Sequence, residues 1–433
     1  MAWQDSPMGP MTIFDKSALQ ALRMDEAVWF DAFFGVNVVP VFYIETLADL
    51  EKDVAEGRSA EDLVGMLAAK TPSNAYPNVH HGTLVAAELA GHEIAMDGRP
   101  VISTGDLKRA ADGSVGVHIE EFPEQVALLR WQEHDFGAVE RDLAREWRAD
   151  LASHDPERLT GIVRNVLPAD SGITDLDQLK QFVDEFCARE DPQVLALALE
   201  ILGVDEHHRK LGHQRWERAS SPSFDRLFPY TCHVFKVDLI YYLGIERSLI
   251  SGERASNKAD MAYLYYLPFA AVFTSNDKLH RRTAPLFLGE GQSYLPADEL
   301  KTALRELDAH FDALPDEVKD LGVLAFASYP PPEIENVITR LWDEHMRRDW
   351  RAVAREREAE LGKPRDKGSE QAKLEEVKRR IAEAESLPED AKEPEGGADY
   401  FITSRRVPAR KGKWRMIAEE VEDEKEPGTA KTD

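Results

Sequence analysis

Short apolar runs that end on an acid and pass straight into a helix occur near the start of this chain and again past its middle. Nothing else in the sequence restricts the fold as much. Met11 to Phe14 reads as a strand, with Asp15-Lys16-Ser17 where it ends. From Ala18 to Phe34, Leu19, Leu22, Val28, Trp29 and Phe33 keep helical spacing, as one helix or two short ones. Val38-Val39 suits a buried strand, and Pro40 suits the first turn of the next helix, where a missing N–H costs nothing. The pattern returns from about Phe228. Tyr230 to Leu243 reads as an amphipathic helix and Lys258 to Leu267 as another. Pro268 to Phe273 leads into a strand that ends at Thr274-Ser275-Asn276-Asp277, and Lys278 to Phe287 opens a further helix. Repetition of this kind predicts an α/β sandwich built on a parallel sheet.

The stretch between the two blocks differs. Glu140 to Leu151, Leu176 to Cys187 and Pro192 to Leu202 read as helices, and Pro100 to Ser103 with Ser114 to Ile119 as a small hairpin around Asp112-Gly113. The chain therefore divides into a discontinuous core (11–52 plus 228–295), a mostly helical insertion (53–227), a helical C-terminal extension (296–361) and a charged, partly disordered tail (362–433). Within the tail, Leu374 to Glu385 reads as a solvated helix, Pro388 to Gly397 as a linker and Tyr400 to Thr403 as a short strand. A basic run follows, Arg405, Arg406, Arg410, Lys411, Lys413 and Arg415 with Trp414 inside it. It reads equally as a grip on single-stranded RNA or as a solvated tail. The residues after Ile417 are acidic and read as disordered.

Charge and cysteine content narrow the function classes. A net charge of -27 excludes binding of polyanions over the whole surface, so any nucleic-acid contact must come from local basic patches. Cys187 and Cys232 have no zinc-like spacing and read as reduced thiols, which with the absence of an apolar leader in Met1 to Pro10 predicts a cytoplasmic protein. No run of about 20 apolar residues predicts a membrane span. His80-His81, and His207-His208 with His213, fit no standard metal spacing and read as exposed imidazoles.

Four acids remain, each at the carboxyl end of a strand or on a helix beside one: Asp15, Glu45, Asp260 and Asp277. Clustered carboxylates repel unless a cation compensates, and hard oxygen donors select Mg²⁺ or Mn²⁺. Asp49 shares a helix face with Glu45, and Asp238 is an alternative to Asp260 or a partner of Lys236 or Arg247. Arg254 and Lys258 before Asp260, and Lys278, Arg281 and Arg282 after Asp277, are candidate phosphate contacts.

Ile13-Phe14-Asp15-Lys16-Ser17, Tyr43-Ile44-Glu45, Asp260 with its helix and Phe273-Thr274-Ser275-Asn276-Asp277-Lys278 together resemble the PIN-domain nuclease superfamily. The resemblance covers roughly residues 11–52 and 228–290, and departs from compact members by the long insertion. It implies a PIN-like three-layer α/β sandwich and a metal-dependent endonuclease, on RNA rather than DNA. Asp15, Glu45, Asp260 and Asp277 would then be the metal-binding acids, with Ser17 and Thr274 or Asn276 supporting them by hydrogen bonds. The insertion would offer a surface to a protein partner. Two other readings compete. A haloacid-dehalogenase-like phosphatase needs a second Asp two residues after the first, where this chain has Ser17. A catalytically silent PIN-like scaffold would bind protein or RNA through the retained fold.

Overall fold

The computed structural model describes residues 9–418 except 52–58, 104, 154–155, 165, 168–171, 221, 255, 362–366, 389–390, 392–397 and 404–405. Its centre is a five-stranded, all-parallel sheet. The strands are β1 (Met11–Phe14), β2 (Gly35–Val38), β3 (Ala75–Pro77), β4 (Val272–Ser275) and β5 (Ser293–Pro296), in the order β3-β2-β1-β4-β5. β1 and β4 pair with Thr12 opposite Val272 and Phe14 opposite Thr274. The chain thus moves outward from β1 on one side, then crosses back to build the other. The reversal falls between β1 and β4, and open parallel sheets bind ligands beyond the carboxyl ends of strands at such a point.

β1, β2 and β4 are buried throughout, as strands of a parallel sheet covered on both faces should be. The expected helix after β1 is two: α1 (Lys16–Ala21), started by Asp15, and α2 (Met24–Phe33). α3 (Pro40–Leu47) carries Pro40 in its first turn, as the sequence predicts. α4 (Pro229–Glu246) is not amphipathic. Nearly all its residues from Tyr230 to Gly244 are buried, so it runs through the interior and packs against Leu176–Cys187 and Pro156–Val163. α5 (Ser256–Tyr263) ends earlier than the predicted helix, because Leu264–Phe269 tightens into a 3₁₀ turn approaching Pro268. α6 (Lys278–Thr283) follows β4, and α7 (Ala297–Asp312) follows β5 and packs on α2.

Three boundaries differ from expectation. Residues 53–227 are not wholly outside the core, since β3 lies among them and extends the sheet beside β2. The hairpin's first strand is Asp106–Arg109 rather than 100–103, and it joins a second sheet with Val115–Ile119, Glu385–Ser386 and Tyr400–Thr403. The basic run is not a free tail, and its tryptophan is not open to stack on a base. Trp414 and Met416 are buried, and the buried Lys411 ammonium sits 3.2 Å from Asp31 and donates to the Lys70 and Thr71 carbonyls. Lys413 pairs with Asp308 and Asp312. Arg405, most of the 388–397 linker and the acidic end from residue 419 lie outside the described residues.

The Trp414 contact explains why the segment docks. Its ring packs edge-on to Trp29 at 4.7 Å, and Trp29 stacks on Phe311 at 4.4 Å. Both indole N–H groups donate to the same Asp308 oxygen, at 3.0 Å from Trp29 and 2.7 Å from Trp414. A large aromatic with its one donor satisfied is stable in an interior.

Candidate active site

Asp15 leaves β1 and turns the chain into α1. Its Oδ1 accepts from the Ala18 N–H at 2.8 Å, an N-cap bond, and its Oδ2 accepts from Ser275 Oγ at 2.7 Å across the β1–β4 seam. Ser17 Oγ lies 2.9 and 2.8 Å from the two carboxylate oxygens and itself accepts from the Asn276 N–H at 3.0 Å. Ser17 therefore supports Asp15 as expected. Thr274 does so only through its backbone, whose carbonyl takes the Asp15 N–H at 3.2 Å, while its buried hydroxyl has no hydrogen-bond partner among the described residues. Asn276 is exposed and contributes its backbone N–H.

The sequence reading missed the group at the centre. His280, fully buried on the first turn of α6, places Nδ1 3.2 Å from Asp15 Oδ2 and 2.8 Å from Ser275 Oγ. Its Nε2 lies 2.6 Å from the Asp260 carbonyl oxygen. With acceptors at both nitrogens the ring is held as imidazolium. Burial alone would lower its pKa, but the Asp15 carboxylate, with Asp260, pushes it up to about 9. Burial would raise Asp15, and the bond and charge of His280 outweigh that and hold it below the usual carboxylate range.

Asp277 caps α6. Its Oδ1 accepts from the Leu279 N–H at 2.6 Å, and its own N–H donates to Ser275 Oγ at 2.9 Å. Glu45 reaches the site from α3, half-buried, accepting from the Tyr263 hydroxyl at 2.8 Å. A second unpredicted cation lies beside it: the buried Lys16 ammonium is 2.8 Å from Asp49 Oδ2 and 3.9 Å from Glu45 Oε1. Burial raises the Glu45 pKa, Lys16 and Tyr263 oppose that, and Asp15 and Asp49 add to it.

Asp260 sits on α5, which packs on α3 and α6. Its carboxyl makes no hydrogen bond or ion pair among the described residues. Burial, reinforced by the charges of Glu45, Asp277 and Asp15 and opposed by His280, raises its pKa to about 7. The four acids named from sequence therefore share one electrostatic neighbourhood. Five carboxylates, Asp49 included, face two internal cations.

The predicted basic residues separate. Lys258 faces away: its ammonium pairs with Asp238 and donates to the Tyr265 hydroxyl. Asp238 is thereby excluded as a stand-in for Asp260, and its partner is Lys258 rather than Lys236 or Arg247. Arg281 lies 3.6 Å from Asp298, and Arg282 donates to the Leu249 carbonyl. Arg254 and Lys278 are exposed and make no ion pair among the described residues.

The donor set suits a hard divalent cation, since Asp260 and Asp277 Oδ2 have lone pairs to spare and the cluster carries excess negative charge. No three acidic, histidine or cysteine side chains among the described residues already form a metal cage. The fit lies in chemistry and charge rather than in a preformed shell. Comparison with known proteins adds no relative: no family model, no curated protein and no solved structure matches this chain.

Proposed function

We propose that the protein is a divalent-metal-dependent endonuclease, PIN-like in fold, cutting RNA in preference to DNA in the cytoplasm. The observation that carries this reading is the gathering of Asp15, Glu45, Asp260 and Asp277 at the switch point of a parallel sheet, with the Asp260 carboxyl unpaired among the described residues. Burial and the other three acids raise the Asp260 pKa to about 7. A cluster of this kind stores repulsion that a divalent cation relieves. Mg²⁺ or Mn²⁺ held by Asp260, Asp277, Glu45 and Asp15 would supply Lewis acidity toward a phosphate oxygen and an acidified water. Asp260 would hold such a cation as the carboxylate, its proton passing to solvent. His280, Ser275 and Ser17 fix the orientation of Asp15, and Tyr263 fixes Glu45. Lys278 and Arg254 are the phosphate contacts this reading keeps.

The test is cleavage of fluorescently labelled single-stranded RNA with Mn²⁺, Mg²⁺ or EDTA, by wild type, Asp260→Asn and Asp277→Asn. Metal-dependent cutting that falls roughly a hundredfold or more in each variant is expected. Absence of cutting, together with no Mn²⁺ binding by calorimetry, would sink the proposal. One observation favours a second reading. Lys16 and His280 already place two cations inside the cluster, as a silent scaffold would require, and that reading would then lead.

A further inference from the structure

A cavity of about 480 Å³ opens on a different face of α5 from Asp260. Its walls come from α5 (Lys258, Ala259, Ala262), the helix His81–Ala90 (Val85, Ala86) and the end of Pro192–Ile201. The volume falls within the range of small-molecule sites, and the walls are mainly apolar.

The polar groups in it are arranged unevenly. Lys258 is spent on Asp238 and Tyr265, with the Tyr241, Tyr242 and Tyr265 rings 5.3 to 5.9 Å from its ammonium. Asp238 also accepts from the Tyr265 hydroxyl. That pair is internally neutral. The His81 ring lies 4.6 Å from Tyr265, and burial, with His80 and Lys258 nearby, keeps it uncharged. The exposed Asp205 in the lining disfavours an anion, and the neutral Lys258–Asp238 pair offers a cation no net charge to balance. Two donors are left over. Trp147 Nε1 is buried with no partner among the described residues, and the Tyr242 hydroxyl makes no hydrogen bond among them but is not itself a buried, unpartnered atom. The unpaired Trp147 donor carries a desolvation cost that an acceptor would remove.

We infer that this cavity is a binding site for a flat, uncharged small molecule with a carbonyl-type acceptor. Its ring would lie against His81, Tyr242, Tyr265 and Trp147, and its acceptor would meet the Trp147 and Tyr242 donors. The site is separate from the carboxylate cluster and does not depend on nuclease activity.

The probe is prodan, a flat, neutral naphthalene ketone whose emission shifts to the blue in apolar surroundings. Titrated into the full-length protein, it should show saturable one-to-one binding with blue-shifted emission. Ala262→Phe and Ala86→Phe fill the cavity from opposite walls, and both should lose that signal. Hydrogen exchange on the wild type serves if either variant fails to fold: bound prodan should slow exchange in 81–86 and 256–263. Absence of saturable binding, binding that survives both substitutions, or unchanged exchange in those two segments would overturn the inference.

Discussion

His280 and Asp260 both have raised pKa values, which favours the charged form of the first and the neutral form of the second, and their pH behaviour follows. The His280 pKa is raised above its ordinary 6.5 to about 9, so its contribution to stability is complete below 6.5 and is lost as pH rises through 9. Asp15 is depressed below 3.8, so its contribution is present above 3.8 and lost as pH falls through the lower folded value. His280→Ala leaves a buried carboxylate unpaired and is expected to cost roughly 3–5 kcal/mol in urea unfolding at pH 7. Asp260 runs the other way. Its folded pKa of about 7 means that ionising it opposes folding, increasingly from pH 3.8 and fully above 7. Asp260→Asn should therefore be more stable than wild type at pH 8, by about 1–2 kcal/mol after allowing for solvent screening, with the gain fading toward pH 4. Thermal melts at pH 4, 6 and 8 check this. A stability gain over wild type no larger at pH 8 than at pH 4 would show that burial and the neighbouring acids do not oppose ionisation of Asp260.

At the scale of elements, Asp277 shows how a functional group and a cap can be told apart. Asn is as good an N-cap as Asp, so Asp277→Asn should leave the melting temperature nearly unchanged, whereas Asp277→Ala should lose about 1 kcal/mol. Activity lost by the first without a change in melting assigns the loss to the charge. Strands β1 and β4 were legible because each begins as an apolar run and is closed by a polar turn, and the Asp15 and Asp277 positions follow from those turns; β2 was read at Val38-Val39 but spans Gly35–Val38, since Asn37 breaks the apolar run and Val39-Pro40 continues it past the strand end. β3 was not, since Ala75–Pro77 is three residues between Asn74 and Asn78 and carries no alternation to detect. His280 had a signal that went unread: three residues after a capping acid, a side chain on the first helical turn can fold back under the strand end. Lys258 had none, because its pairing with Asp238 depends on how α4 and α5 cross.

Across the whole molecule, the last described segment laces the fold together. Trp414 joins α2 and α7 through Trp29, Phe311 and Asp308, and Lys411 neutralises Asp31. Trp414→Ala is expected to destabilise the protein by roughly 3–5 kcal/mol in chemical denaturation, and an unchanged midpoint would contradict the docking. Composition pointed equally to a solvated tail and to a grip on RNA because the run is basic; the acids that receive it lie far upstream, 105 residues away for Lys413 with Asp308 and 380 for Lys411 with Asp31, where no local pattern connects them. The same long range governs the sheet. β1 is made first, yet one of its two neighbours, β4, begins at Val272. At ribosomal speeds on the order of 5–20 residues per second, β1 waits tens of seconds for that edge. Until then the nascent chain carries Asp15 without Ser275 or His280, so the acids assemble only after most of the polypeptide has been synthesised.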